Sequence, residues 1–444
     1  MRDKGLMWAM ACMVLAGTVM GPPVLAKKKI TWWAPSDNSW RQVREKFMAA
    51  NPTMDVQMIH GDVDKFYTMI TAGLMPDIWG PWSTAGIHAD VNRNWAIDLT
   101  PYLKRDGKSM NIDDFFPGVM RQFKIAGKQF SLPIFSYADY YFYNPQLYAQ
   151  AGLNPPPIEA SKEWNWDRMV ANSQKLTVLD AATGKPKQFG LQFSTGLFDF
   201  PNYFHLWGAE PYSVDTLRSS IPQDMHWTTP EMVTCLTKMW ELKFRYNVVG
   251  GSFTGGKLGS TIEHGYNIQS NMQAKKLKWA IAPLPWAVTN SGTLWPDGWR
   301  ISRVCKDKEL AWKFIKFICS PDIMRMVVSD PKSAHPGSPV VRKSIFKETL
   351  GRDVGNATGM APQDVFRVHE QADDVGIVKY QETVCLHVDI QKFLNPELDK
   401  LWANKVDGRT CATNLQKVTD RMLPGLFARW LRNVKFTGAD KSYK

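Results

Sequence analysis

Apolar and polar positions settle into a regular order soon after the first thirty residues. Residues 29–33, Lys-Ile-Thr-Trp-Trp, form a short run that predicts a strand. Val43, Phe47 and Ala50 recur at helical spacing, which predicts a helix over 40–50, ended by Asn51-Pro52. Residues 54–59 alternate as a second strand. Residues 64–72 read as a helix stopped by Gly73, and Pro76-Asp77-Ile78-Trp79 opens a third strand. Strand-helix-strand-helix-strand implies a parallel sheet that receives ligands at the carboxyl ends of its strands. Those ends are the loops 35–38 and 80–83.

The pattern changes between Ile125 and Pro157. Gly127-Lys128 reads as a tight turn between two short extended segments. Residues 129–134 are mostly apolar and include Pro133, which cannot donate to a central ladder. Residues 137–143 are dense in aromatic side chains, with Asp139 and Tyr140 among them. Asn144-Pro145 starts a helix over 146–151 that Gly152 stops, and a triple proline follows. The chain leaves one compact unit here, crosses over, and begins a strand of another.

Beyond the crossing, the periodicity predicts helices over 166–176, 202–207 and 228–246, and a strand over 189–193. Residues 279–285, Trp-Ala-Ile-Ala-Pro-Leu-Pro, read as a return strand and second crossing. A helix is expected over 309–319, a third crossing at 335–339, and helices over 394–404 and 413–423.

With 444 residues there is room for two domains, since single cores stop growing near ~250–300 residues. Arg2 and Lys4 precede the apolar run 6–20, and Val24-Leu25-Ala26 supplies small residues for cleavage, so residues 1–26 read as a secretory signal peptide. Five cysteines remain after it: Cys235, Cys305, Cys319, Cys385 and Cys411. Cys305–Cys319 and Cys385–Cys411 are the pairings that proximity in sequence favours, and no pair has zinc-ligand spacing. The formal charge is +12, and the leader accounts for only one unit of it. The basic residues are scattered, which suits a solvated surface. An acidic sugar is the sharper alternative, and export argues against nucleic acid.

Several stretches resemble one family in a consistent order. They are Gly127-Lys128-Gln129-Phe130-Ser131-Leu132-Pro133, Tyr140-Tyr141-Phe142-Tyr143-Asn144, Ala151-Gly152-Leu153-Asn154-Pro155-Pro156 and Ala72-Gly73-Leu74-Met75-Pro76-Asp77-Ile78. The order is similar to that of the extracellular solute-binding proteins of ABC importers, the carbohydrate-binding, maltose-binding-protein-like family. The resemblance implies an α/β, type II periplasmic binding protein, two lobes with mainly parallel sheets flanked by helices and a ligand cleft between them. Residues 27–132 plus 284–336 are expected in lobe I, and 133–283 plus 337–444 in lobe II. Such lobes close about their crossings.

A saccharide offers hydroxyls on its rim and an apolar face of C–H groups, so its site needs aromatic planes and hydrogen-bonding side chains. Trp82, Tyr266, Trp295 and Trp299 fall at expected strand ends or inter-lobe loops, whereas Trp32, Trp33 and Trp79 are assigned to the core. The resemblance places Asp37 at a position that binds sugar hydroxyls and Tyr266 where an aromatic contacts sugar. In its place, an Asx turn would also explain Asp37. Asp139 and Tyr140 at the crossing, Asp297 on the glycine-containing segment 295–301, and Arg300, suited to an anionic solute, complete the candidates. His264 reads equally as a ligand donor and as a satisfied buried histidine. Here His264-Gly265-Tyr266 replaces the family's Gly-x-Trp, and Gly80-Pro81-Trp82 is unusual after the Pro-Asp strand.

The expectation is therefore an exported monomer without cofactor or metal that captures a carbohydrate and delivers it to ABC permease subunits. A secreted glycoside hydrolase, using a carboxylate pair drawn from Asp37, Asp139, Glu263 and Asp297, is the rival class. A ligand-presenting partner of a chemosensor is the third possibility. No nucleophile elbow, Walker loop or zincin motif is present.

Overall fold

The computed structural model describes residues 27–34, 38–80, 86–193, 201–219, 221–268, 271, 277–330, 333, 335, 337–378, 384 and 386–436. The leader, Asp37, Trp82 and Cys385 lie outside them.

Twelve strands are present among the described residues: β1 (Lys28–Trp33), β2 (Met54–Ile59), β3 (Ile78–Trp79), β4 (Lys124–Ile125), β5 (Lys128–Gln129), β6 (Leu132–Tyr143), β7 (Val178–Leu179), β8 (Pro186–Gln192), β9 (Leu258–His264), β10 (Ala280–Ala282), β11 (Thr293–Ile301) and β12 (Ile377–Val378). Ten of them form one sheet in the order β2-β1-β3-β11-β6-β9-β8-β7, with β10 beside β6 and β12 beside β11. The expected parallel order holds for β2-β1-β3 and for β8 with β9. At the centre the sheet is antiparallel, because β11 runs against both β3 and β6, and β6 against β9 and β10. The sheet is thus mixed and is flanked by helices.

β6 joins the two halves. Every one of its twelve residues is buried. Leu132–Ala138 pair with β11, whereas Asp139–Tyr143 pair with β9. Two sequence segments expected as separate pieces are therefore one strand. Pro133 is tolerated inside it because the ladder is already broken there: the register with β11 shifts between Asp297 and Gly298, the latter facing Pro133. The turn before it lies one residue earlier than expected, with Ala126 and Gly127 both left-handed, at φ 48° and 79°, between β4 and β5.

Capping explains where the helices begin. The Asn144 side chain accepts from the amides of Gln146 and Leu147 ahead of the helix Pro145–Gln150. Asn165 does the same for Arg168 at the start of Trp166–Leu176, and Thr229 for Met232 before Pro230–Trp240. The last of these continues through a π turn, Glu241–Arg245.

Two large apolar clusters form. The first gathers β1, side chains along β6 from Leu132 to Phe142, Leu294, Trp295, Trp299 and Ile301 of β11, Leu258 of β9, Ile281 of β10, and the helices Lys308–Ile318, Pro321–Ser329 and Pro362–Val375. The second gathers Tyr141 and Tyr143 of β6 with the helices Trp166–Leu176, Pro230–Trp240, His387–Trp402 and Gly408–Phe436. Within the first, Trp32, Trp40 and Trp299 meet edge to face, with centroids 5.3–6.0 Å apart. Such pairs add ~0.5–1.5 kcal/mol each beyond the area that they bury. Gly80 is required beside them, since a Cβ there would overlap the Trp299 ring.

Cys235, Cys305, Cys319 and Cys411 are free and buried, so neither expected pairing forms. Cys319 instead points at the Pro133 carbonyl oxygen, 3.8 Å away, and Cys411 at that of Glu397, 3.7 Å away. Proximity in sequence failed as a guide because Cys319 and Cys411 are each built into a separate packing contact.

Candidate functional site

The switch of β6 from β11 to β9 brings three strands together at residues 137–139, 264 and 293–297. Alternation along each strand then decides which side chains meet. Tyr137 faces Trp295 across the β6–β11 ladder, and Asp139 faces His264 across the β6–β9 ladder. Tyr266 follows two residues after His264 and is 46% exposed, against 8% for Trp295 and 7% for Tyr137. The Tyr266 ring lies 5.4 Å from His264, 6.1 Å from Trp295 and 6.4 Å from Tyr137. His264 and Trp295 are closer still, at 4.3 Å. The result is an aromatic surface with one accessible ring and two buried supports.

Polar groups frame it. Tyr137 donates its hydroxyl to Ser338 Oγ at 3.2 Å. Burial, and secondarily the negative charge of Asp297, hold its proton far above the ordinary phenol range. Asp297 is 8% exposed and faces Phe135 in β6. Glu263 accepts from Asn267 Nδ2 at 2.9 Å, which fixes the first turn after β9. Rings with hydroxyl and carboxylate neighbours present both an apolar plane and hydrogen-bonding groups to a solute.

The other candidates sit deeper. Asp139 is 2% exposed, its Oδ1 meets His264 Nδ1, and its Oδ2 accepts from the Thr293 amide at 2.5 Å. Tyr140 is fully buried with its hydroxyl on His369 Nδ1. Trp299 lies within β11 rather than on a loop and is fully buried in the tryptophan cluster. Arg300 is 3% exposed and forms an ion pair with Asp90 at 3.5 Å, and Asp90 also accepts from Trp79 Nε1 at 3.0 Å. Trp32, Trp33 and Trp79 are core residues, as expected.

The structure thus brings together Asp139, Tyr266, Trp295 and Asp297 and separates them from Tyr140, Trp299 and Arg300. The sequence reading missed Tyr137, although its place two residues before Asp139 in an aromatic strand marked it. Among the described residues no group of three or more His, Cys, Asp or Glu side chains is arranged to hold a metal ion.

A family model described as bacterial extracellular solute-binding protein matches residues 33–325. The chain belongs to that family. It is a family of binding proteins, not of enzymes. A protein of Brucella abortus named as a binding protein is 27% identical over 302 residues, which is 64% of this chain and 69% of that one. Among solved structures, an ABC substrate-binding protein from Listeria monocytogenes in complex with cycloalternan is similar. Its TM-score is 0.66 and its identity 19%, over 89% of this chain and 99% of that one. The maltose/maltodextrin-binding domain MalE from Bdellovibrio bacteriovorus, bound to maltotriose, gives a TM-score of 0.62 at 18% identity, over 89% of this chain and the whole of that one. At such identities these two establish a shared fold.

Proposed function

We propose that this solute-binding protein captures a carbohydrate between two lobes outside the cytoplasm and delivers it to the permease of an ABC importer. The observation that carries the reading is Tyr266, a residue left 46% exposed above His264 and Trp295 beside the point where β6 changes partner from β11 to β9. Its support is general: apolar sugar faces stack on aromatic planes, and hydroxyls pair with neighbouring carboxylates and phenols. Saccharides bound to the Listeria and Bdellovibrio proteins lend weight to the same class.

In this proposal the second apolar cluster is the core of one lobe, the first is the core of the other and continues beneath β6, β9 and β10, and the segment from Val340 to Val368 goes with the first because its side chains pack there. β6 and β11 are the crossings, and closure is selected by a ligand that only the closed state touches from both sides. Tyr266 and the accessible edges of Trp295 and Asp297 contact the solute, joined by Asp37 and Trp82, which follow β1 and β3 in the sequence. Asp139 holds that surface from beneath, whereas Tyr140, Trp299 and Arg300 serve the core contacts described above. Export through the leader 1–26 and action as a monomer complete the reading.

The test is a thermal-shift panel of mono-, oligo- and acidic saccharides, polyols and sugar phosphates. A ligand that binds only the folded chain raises its melting midpoint by mass action. A rise with one saccharide class supports the proposal. Silence across the panel, or a rise confined to non-sugars, overturns it.

A further inference from the structure

Asp139 stands where β6 changes partner. Ala138 is the last residue paired with β11, at Leu294, and Asp139 the first paired with β9, at His264. Its two carboxylate oxygens are divided between those strands, one meeting His264 Nδ1 and the other accepting from the Thr293 amide. The pair is enclosed, with side-chain exposures of 1% for His264 and 0% for Asp139. In such surroundings a hydrogen-bonded pair fixes geometry far more firmly than an exposed one.

The other side of the imidazole faces the aromatic surface, 4.3 Å from Trp295 and inclined only 33° to Tyr266. The next residue is pinned through its main chain, since Gly265 donates its amide to the Ala138 carbonyl at 2.8 Å. A Cβ at Gly265 would press on the Tyr140 ring at 3.0 Å and on that carbonyl oxygen at 3.1 Å. Tyr266 therefore leaves from a chain held twice, by a side chain at 264 and by the backbone at 265. Behind Asp139 lies a cavity of about 10 Å³ bordered by Pro283, Asn290 and Gly292, the space of a single water.

We infer that Asp139 and His264 form a positioning pair that sets the angle of the Tyr266–Trp295 surface and, through it, the affinity for a saccharide. Neither residue touches the solute. This rests on reading that surface as the saccharide floor. The imidazole carries the constraint because it meets the carboxylate through Nδ1 and also packs against both rings.

The full mature chain is tested as His264→Asn, which returns an N–H near the place of Nδ1, and as His264→Leu, which fills the space without a donor. Affinity for maltotriose is measured by calorimetry for each, with and without Tyr266→Ala. His264→Leu is expected to weaken binding about ten-fold, His264→Asn to recover most of it, and the Leu effect to vanish once Tyr266 is alanine. Additive losses, or equal binding by Asn and Leu, would overturn the inference. If His264→Leu does not fold, His264→Met replaces it, again filling the space without a donor.

A sugar-independent reading separates this from the proposed function. In proton NMR of the ligand-free protein, a far-downfield Nδ1 proton is expected and is lost in Asp139→Asn. The near-UV circular dichroism of the aromatic surface changes in His264→Leu and is restored in His264→Asn. If wild type binds no saccharide while both signatures follow this pattern, the proposed function fails and the positioning pair stands. Absence of the downfield proton, or near-UV spectra that do not follow the pattern, refutes the pair whatever the sugar result.

Discussion

Replacing Tyr266 by alanine removes an accessible ring from a surface whose supports stay in place. With 46% of the residue exposed in the free chain, the folded state loses the packing of one side of the ring against His264, Trp295 and Tyr137. Truncating a half-exposed residue of this kind costs about 1 kcal/mol of stability, the usual size for a point substitution. Binding is different. If a sugar face covers the exposed part of the ring, roughly 80 Å² of apolar surface leaves water, worth about 2 kcal/mol at ~25 cal/mol/Å². That corresponds to an affinity loss of about thirty-fold. Calorimetry with whichever saccharide raises the melting midpoint, paired with urea unfolding, separates the two quantities. An unchanged affinity would refute the site. A large loss of stability would show that Tyr266 is structural and refute the reasoning from exposure.

Three further outcomes follow from the packing. Burial holds His369 down to about 3 from 6.5, between Phe346 at 4.4 Å and Phe116 at 4.5 Å. The unfolded chain then takes up a proton that the folded chain refuses, so this contribution is complete above the unfolded value and is lost as pH falls. Urea unfolding from pH 6.5 down to about 4.5 should show wild type losing about 2 kcal/mol relative to His369→Gln, and parallel curves would contradict this. The thiols of Cys305, Cys319 and Cys411, pushed up to about 12 by burial, should ignore a thiol reagent until the chain is unfolded. Dithiothreitol should leave the melting midpoint unchanged; a drop would reveal a disulfide. Gly80→Ala should cost roughly 1–3 kcal/mol in thermal unfolding by forcing the Trp299 ring aside, and a neutral result would contradict the close approach.

What was legible in the sequence was local. The helix Trp166–Leu176 and the strand Met54–Ile59 fall where the periodicity put them, because each carries its own apolar face and cap. The unity of β6 was hidden, since Pro133 forbids a regular ladder and only the register shift opposite Gly298 makes room for it. Pro424 hid the length of Gly408–Phe436 in the same way: a proline usually ends a helix, and here the helix runs through it. Within the site, the aromatic candidates were visible as residue types, but their burial was not. Asp139 with His264, and Arg300 with Asp90, are pairs 125 and 210 residues apart in sequence. Strand register decides the first of these meetings and the docking of the helix Ile87–Asn92 beside β11 the second, and nothing local to any of these residues encodes either.

Calorimetric titration of the mature protein with maltotriose and its relatives, followed by mass spectrometry of the recovered sugar, tests the central claim most directly. Saturable one-to-one binding of a saccharide that is recovered intact is the predicted result. Recovery of a cleaved sugar, or no binding by any saccharide at millimolar concentration, would contradict it.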